Sequence, residues 1–343
     1  MNSSLSWLIS GVVALAALLP GPASLAADPT LATVKKRGEL VCGVNGNLPA
    51  FSYLNDKKER LGFDADYCRA IAAAVLGDAS KVKFVPLPIA RRFEALKSGE
   101  VDVLLRHSII TLQRTADTGV RYAAVNFIDG QAFVAPKALG LATLPQFEGK
   151  LLCLTQNTPH KDNVETWFRL RGFSIKVEAF DDQDAMYQAF FAGKCALVTQ
   201  EATVLASTVI ASGKAGAYLM LPEFISREPL GPYVRSGDDQ WFNVVHWLHN
   251  AMVEAEELGV AQGNVDQQLG SKDPNVLRLL GVEPGAGKML GLDDKWAYNA
   301  IKQVGNYADV YERNFGAGSP LKFARGVNAL LGRGGFLFSL PAR

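Results

Sequence analysis

Two polar side chains stand at matching positions in the two halves of this chain. The helix–glycine–strand unit that contains Gly99 can be superimposed on the unit that contains Gly193, and eight residues after these glycines come His107 and Glu201. Each lies just past the carboxyl end of a predicted strand, the edge at which open α/β sheets bind ligands. If the two halves face each other, an imidazole and a carboxylate line one cleft, where they can hydrogen-bond a ligand or transfer a proton.

The elements that position these residues follow the same order in both halves. The first half has predicted strands at 39–44, 82–87 and 101–105 and helices at 64–76 and 91–97. The second half has predicted strands at 151–154, 175–179 and 196–199 and helices at 162–171 and 183–192. Asp64 is the expected N-cap of the first helix. Strands that alternate with helices predict two similar α/β lobes, each with a parallel sheet between helices.

The last third of the chain is predicted to be helical. An amphipathic helix begins at Asp238/Asp239 and continues toward Leu258. Further helices are predicted at 274–280, 295–304 and 307–314. The segment 317–343 is expected to pack on the body as an appendage.

Composition limits the classes of function. The 343 residues are 48% hydrophobic, enough for a packed core and, by length, for about two domains. With 35 basic and 34 acidic residues the net charge is +1, and no run of Lys and Arg is present, so nucleic-acid binding is not supported. The motifs of nucleophilic triads, phosphate-binding loops and metal clusters are also missing from the sequence. No cofactor or metal is therefore expected.

The N-terminus resembles a secretory signal peptide. Residues 8–19 form a 12-residue uncharged stretch, too short to cross a bilayer core of about 30 Å. Pro20 and Pro22 interrupt it, and small residues that suit a signal peptidase follow, so we expect cleavage after Ala26 or Ala27. A buried apolar helix of the mature protein is the alternative. No later stretch is long enough to be a membrane span, and the mature chain is expected to be exported and soluble.

The four cysteines suit an oxidising compartment. They are Cys42, Cys68, Cys153 and Cys195, whose separations fit no zinc motif. Four cysteines allow three connectivities. Pairing within each half, Cys42 with Cys68 and Cys153 with Cys195, is the local choice, and free buried thiols are the alternative.

Several longer segments carry a resemblance to a known family. They are 62–70 (GFDADYCRA), 92–103 (RFEALKSGEVDV), 111–114 (TLQR), 228–232 (EPLGP) with 237–242 (GDDQWF), and 304–307 (VGNY) with 312–314 (ERN). With these segments the chain resembles, over essentially its whole mature length, the family 3 amino-acid-binding proteins of ABC importers. The closest likeness is to the general L-amino-acid-binding branch. The four cysteines also fall where that branch has them, which supports the local pairing.

This resemblance implies a type II periplasmic-binding-protein fold, with two α/β lobes joined by two crossing strands. Lobe 1 would comprise 28–135 plus 232–343 with the helical extension, and lobe 2 would comprise 136–231, after a signal peptide at 1–26. The crossing segments would lie near 133–137 and 230–234. A ligand that contacts both lobes would stabilise the closed form.

The resemblance also suggests which residues bind the ligand. Arg114 matches an arginine that clamps the ligand carboxylate through two parallel hydrogen bonds, although a structural ion pair is the alternative. Glu201 stands where the family has an aspartate that holds the ligand ammonium; otherwise it is a helix N-terminal acid. His107 and Ile109 replace small polar residues, whereas Thr111 keeps a hydroxyl.

Four further residues complete the predicted site. In the second half, the family's Gly-containing turn, whose amides hold a carboxylate, is replaced by Asn157 and Thr158. Asn tolerates the left-handed backbone that such a turn needs. Phe51 is expected to pack on the ligand side chain or in the core. Arg106 is expected to be a second cation near the pocket or part of a structural salt bridge.

The resulting hypothesis is a periplasmic, monomeric solute-binding protein. It would capture an amino acid or similar small carboxylate for the transmembrane subunits of an ABC permease. A dehydratase or lyase on the same fold, with Glu201 or His107 as general acid or base, is the first alternative. An orphan ligand sensor that serves a signalling partner is the second.

Overall fold

Short strands and helices alternate along the chain. The computed structural model describes residues 29–116 and 119–342, so the predicted signal peptide lies outside the described residues. The strands are β1 (Leu40–Val44), β2 (Tyr53–Leu54), β3 (Arg60–Leu61), β4 (Val82–Pro86), β5 (Val103–Leu104), β6 (Val120–Tyr122), β7 (Phe127–Asp129), β8 (Gln131–Pro136), β9 (Leu151–Thr155), β10 (Lys176–Phe180), β11 (Leu197–Glu201), β12 (Tyr218–Met220), β13 (Glu228–Leu230) and β14 (Tyr233–Arg235).

The helices concentrate in the two α/β units and after residue 238. They are α1 (Thr30–Arg37), α2 (Phe63–Leu76), α3 (Arg92–Lys97), α4 (Leu112–Ala116), α5 (His160–Leu170), α6 (Gln183–Phe191), α7 (Ala202–Ala211), α8 (Asp239–Glu257), α9 (Val265–Gln268), α10 (Pro274–Leu279), α11 (Ala286–Leu290), α12 (Trp296–Gln303) and α13 (Tyr307–Asn314). Short 3-10 turns lie at Lys137–Leu139, Leu144–Phe147, Ala215–Ala217, Gly326–Asn328 and Leu331–Arg333.

The two main sheets have the same design. The first runs β4-β1-β5-β14-β6, with β1 parallel to β4 and β5 and with β14 antiparallel to its neighbours. The second runs β10-β9-β11-β8-β12, with β9 parallel to β10 and β11 and with β8 antiparallel to its neighbours. Both sheets therefore combine the parallel strands that the sequence predicts with antiparallel strands that it does not.

Each sheet is covered on both faces, as parallel strands require. On the second sheet, Phe190 and Leu205 pack on one face, and Phe168 packs on the other. The first sheet packs one face against the large core formed with α2, α8 and α12, where Trp241 is fully buried. The sheets and their helices form two lobes.

Two antiparallel three-residue strands, β7 and β13, connect the lobes. β8 already belongs to the second sheet and β14 to the first, so the chain crosses at 127–130 and returns at 228–232. These crossings lie a few residues before the expected segments near 133–137 and 230–234. The expected segments came from the family resemblance, and they overlap β8 and β14, which belong to the main sheets.

The N-terminus of α2 departs from the prediction. Gly62, and not Asp64, is the N-cap, with a φ of 120° that a side chain rarely adopts. The carboxylate of Asp64 accepts a hydrogen bond from the backbone N–H of His107 instead, at 2.9 Å. The expected N-cap at Asp64 was therefore wrong, and this aspartate anchors a loop at the end of the sheet.

The C-terminal segment packs across the crossing strands. The side chain of Asn328 accepts from the N–H of Ile128 at 2.7 Å and donates to its carbonyl at 2.9 Å. Arg325 pairs with the buried carboxylate of Glu256 on α8. The segment is thus an appendage on the body, as expected.

The local disulfide pairing is confirmed. Cys42 pairs with Cys68 and Cys153 with Cys195, with Cα atoms 6.1 and 5.8 Å apart. The first bridge ties β1 to α2, and the second ties β9 to the connection between α6 and β11, so each bridge lies within one lobe. Over the ranges 29–116 and 119–342, no helix is both long and apolar enough to cross a membrane.

Candidate functional site

A small cavity lies between the lobes, beyond the carboxyl ends of β5 and β11. Its volume is about 30 Å³, and His107 of the first lobe and Glu201 of the second both line it. A wider groove of about 470 Å³ lies beside it and shares four lining residues with it, Asn45, Ile89, Arg106 and Gln183. The structure therefore brings the two residues selected by their matching positions to one cleft.

Three arginines of the first lobe line the cavity: Arg92, Arg106 and Arg114. Arg106 and Arg92 are 9% and 6% exposed. Each arginine uses one nitrogen on a backbone carbonyl, Arg92 on Ile89 at 2.7 Å, Arg106 on Leu87 at 2.7 Å and Arg114 on Ile109 at 2.6 Å. These bonds fix the guanidinium planes without neutralising their charge.

The clustering of cations is electrostatically costly. Burial, together with the charges of Arg114 and Arg106, lowers the pKa of Arg92 to about 9. Burial lowers the pKa of Arg106 to about 10, against the opposing effect of Asp64. The Nε of Arg92 is buried without a hydrogen-bond partner among the described residues. An anion in the cavity would compensate the charges and accept this hydrogen.

His107 is held in an unusual conformation. Its φ is 49°, in the left-handed region, and its N–H is fixed by Asp64. The ring lies 4.1 Å from the ring of Phe51, centroid to centroid. Burial lowers the pKa of His107 to about 4, so the imidazole is neutral at physiological pH. Its contribution to a ligand would be one neutral donor or acceptor and not a positive charge.

The second lobe supplies the acidic side of the cavity. Glu201 ends β11 and is 4% exposed, and its Oε1 lies 3.4 Å from the Nε2 of His160 at the start of α5. The same nitrogen lies 3.4 Å from Oε2 of Glu228, which belongs to the crossing strand β13. Ser226 and Asn163 donate to the other oxygen of Glu228. A buried histidine thus joins the site to the connection between the lobes.

The two carboxylates determine the charge of this histidine. Burial lowers the pKa of His160, but Glu201 and Glu228 outweigh it and raise that pKa to about 10. The pKa of Glu201 falls although burial opposes the change, because His160 and His107 favour the carboxylate. Nδ1 of His160 has no partner within the described part of the chain, which costs about 1–3 kcal/mol, less than leaving two buried carboxylates unpaired. We therefore assign His160 as an imidazolium.

The same three side chains have the spacing of metal ligands. One ligand atom each from His160, Glu201 and Glu228 lies within 4.8 Å of the others. His and carboxylate donors suit several divalent cations. The imidazolium of His160 already pairs with both carboxylates without a metal, and the absence of a metal stays a prediction.

The turn before α5 has the backbone expected for it. Asn157 has a φ of 60°, the left-handed conformation that Asn tolerates. It lines the wider groove, whereas Thr158 lines the cavity. The hydroxyl of Thr158 donates to Thr155 O at 2.9 Å and accepts from the N–H of His160 at 3.4 Å. This turn therefore positions His160.

Not every predicted residue reaches the cavity. Phe51 is 1% exposed and packs against Phe63, Phe127 and Phe315, so the core alternative is the one that the structure shows. The hydroxyl of Thr111 accepts from the N–H of Arg114 at 3.3 Å and helps to begin α4. Ile109 does line the cavity, and its carbonyl binds both Arg114 and the hydroxyl of Tyr233.

Some residues of the site were missed by the sequence analysis. Arg92 and Gln200 line the cavity, while His160 and Glu228 stand behind Glu201. Arg92 and Glu228 lie inside the segments that carry the family resemblance, so the sequence contained a pattern that could have identified them. His160 carried no pattern of its own.

Comparisons with known proteins agree with this architecture. The chain is 40% identical to the general L-amino acid-binding periplasmic protein AapJ of Rhizobium johnstonii, over 98% of this chain and 99% of AapJ. It is 41% identical to the glutamate/glutamine/aspartate/asparagine-binding protein BztA of Rhodobacter capsulatus, over 97% of this chain and 98% of BztA.

A solved structure is similar over nearly the full length. It is an ABC transporter periplasmic binding protein from Brucella ovis with glutathione bound, at 42% identity and a TM-score of 0.89, covering 92% of this chain and 99% of that one. The predicted two-lobed type II periplasmic-binding-protein fold is thereby confirmed. Residues 40–317 match the bacterial extracellular solute-binding proteins, family 3. The chain belongs to this family.

Proposed function

We propose that the protein captures a small carboxylate, an amino acid or an analogue of one, between its lobes and delivers it to the transmembrane subunits of an ABC importer. The observation that carries this proposal is the group of three arginines on the wall of the interlobe cavity, of which Arg92 and Arg106 are buried. Each guanidinium is oriented by a backbone carbonyl, and a carboxylate is the anion whose shape matches a guanidinium.

Arg114 acts as the carboxylate clamp in this proposal. It follows the first-lobe sheet and is oriented by the carbonyl of Ile109, which the crossing strand also supports through a bridge between Ile109 and Leu230. A ligand held by Arg114 and by the second-lobe turn would contact both lobes and so favour closure. The names of AapJ and BztA, both amino-acid-binding proteins, support this ligand class.

Binding without turnover is favoured over catalysis. A general acid or base works best with a pKa near the working pH. The pKa of His107 is lowered to about 4, and that of Glu201 is lowered too, so neither is tuned to exchange protons near neutrality. The periplasmic names of the relatives support an exported, periplasmic protein, which we take to act as a monomer.

A thermal-shift panel tests the proposal. Common L-amino acids and small carboxylic acids are added to the mature protein, and at least one is expected to raise the melting temperature. Arg114→Ala should abolish that shift, Arg114→Lys should keep part of it because the charge remains without the planar fork, and Arg171→Ala, an exposed arginine at the carboxyl end of α5, should keep all of it. A panel without any shift, or equal shifts in wild type and Arg114→Ala, would contradict the proposal.

A further inference from the structure

One carboxylate lines the interlobe cavity within the described ranges, and a protein cation already pairs with it. Glu201 is that carboxylate, and His160 is its partner, with Nε2 3.4 Å from Oε1. Both side chains are at least 95% buried. We propose that His160 takes the place of a ligand ammonium, so that the site prefers small carboxylates with a neutral hydrogen-bond donor on the α-carbon, such as 2-hydroxy acids, over the matching α-amino acids. This inference rests on the proposed function.

The balance of charges around the cavity supports this preference. Arg92, Arg106 and Arg114 contribute three positive charges, whereas Glu201 is partly compensated by His160, which it shares with Glu228. Glu228, the other acid near His160, lies behind it on the crossing strand. A ligand carboxylate is attracted by three cations. The ammonium of an amino acid would be repelled by the same three cations, with little water to screen the repulsion. The carboxylate of Glu201 would attract it only weakly, because that carboxylate already pairs with His160.

A neutral donor has a matching acceptor in the second lobe. Gln200 lines the cavity and is 4% exposed, and its Oε1 has no hydrogen-bond partner in the described part of the chain. Its Nε2 is directed to the hydroxyl of Thr155 at 3.5 Å. An unpaired buried acceptor is costly, and one O–H or amide N–H from the ligand would satisfy it. An ammonium carries three hydrogens and needs more acceptors than this amide offers.

Acids near the mouth of the site do not replace Glu201. Asp181, Asp182 and Asp184 line the wider groove and are exposed. Asp182 caps α6, and Asp181 accepts a hydrogen bond from Gln156. Exposed carboxylates attract a cation only weakly because water screens them. A ligand ammonium in the closed site would therefore depend on Glu201.

The test compares matched ligands by isothermal titration calorimetry at neutral pH. The pairs are L-alanine with L-lactate, L-leucine with L-2-hydroxyisocaproate, and L-glutamate with L-2-hydroxyglutarate. The mature protein is first dialysed against EDTA, so that no metal ion at His160, Glu201 and Glu228 changes the charge. For the pair whose side chain fits, the hydroxy acid is expected to bind about tenfold or more tightly than the amino acid, a difference of the size that one close charge pair produces.

Variants separate the role of His160 from that of the rest of the site. His160→Gln keeps a donor but removes the charge, which frees Glu201 for an ammonium, so the preference should fall by about tenfold or reverse. His246→Gln, on α8, should keep the wild-type preference. An unchanged preference in folded His160→Gln would overturn the inference.

The wild-type comparison is decisive even if His160→Gln does not fold. Amino acids that bind as tightly as their hydroxy acids, or more tightly, overturn this inference and leave the proposed function intact. If neither class binds, both fail together.

Discussion

At the scale of single residues, Asp129 makes the protein's stability depend on pH. This carboxyl lies at the end of β7, where burial raises its pKa to about 7 although Thr203 and Gly130 donate to it. The folded protein therefore holds a proton between pH 4 and 7 that the unfolded chain has released. The contribution of Asp129 to the unfolding free energy must therefore fall as the pH rises through this window.

Asp129→Asn tests this dependence. Removing the titration should make the decline of unfolding free energy between pH 4 and 7 shallower, by up to about 1.4 kcal/mol per pH unit. Chemical denaturation at several pH values gives the slope of the unfolding free energy against pH. A hydrogen bond lost in the variant would lower this free energy by the same amount at every pH and would leave the slope unchanged. Asp78→Asn is the control, because the pKa of Asp78 is lowered by its hydrogen bonds with Ser80, so its titration falls below the window. Equal slopes for wild type and Asp129→Asn would show that Asp129 is ionised throughout.

The residues of the site differ in how far the sequence could predict them. His107 and Glu201 were found because parallel strands end at one edge and each lobe repeats the same unit. The pairing of His160 with Glu228 could not be found in this way, since 68 residues separate them and the contact depends on where the chain crosses between lobes. The ligand role of Arg114 stays a prediction.

At the scale of elements, the crossing strands and the site share backbone hydrogen bonds. The N–H of Ile110 donates to Pro229 O at 2.7 Å, and the N–H of Asn126 donates to Leu230 O at 3.0 Å. The loop that carries His107 and Ile109 is thus attached to β13. A change of torsion in the crossing strands would move this loop with them.

Gly231 permits this close approach. A Cβ at Gly231 would lie 1.9 Å from the backbone oxygen of Ala124, which cannot move aside as a side-chain end could. Gly231→Ala should therefore lower the unfolding free energy by about 1–3 kcal/mol and weaken ligand binding through the displaced return strand. Denaturation and titration with a ligand identified in the panel measure the two effects. Gly216→Ala, where a Cβ would meet nothing within 4 Å, should change neither.

The elements themselves were largely predictable. Strands and helices of five or more residues, such as β1, β9 and α6, carry a clear pattern and end at glycine or polar residues. The antiparallel pairing of β8 and β14 within the main sheets was missed because their partner strands are distant in sequence. Pairing across a lobe depends on the whole topology, and the local pattern does not contain it.

At the scale of the whole molecule, each lobe has its own covalent cross-link. The bridges span 26 and 42 residues of sequence, so each should stabilise its lobe by about 3–4 kcal/mol in the chain-entropy model. Replacing both cysteines of either pair by serine should lower the melting temperature and leave ligand affinity nearly unchanged at a temperature where the variant is folded. A large loss of affinity in a folded variant would show that a bridge also shapes the site.

The pairing order of the cysteines has a consequence for how the chain matures. Each cysteine bonds to its nearest neighbour in sequence, first with second and third with fourth. A polypeptide that emerges from a membrane channel amino end first exposes its thiols in the same order. An oxidase that joins each new thiol to the last free one would therefore make the native bonds directly, without a reshuffling step. In a chain exported in this way, the connectivity would let oxidation keep pace with export.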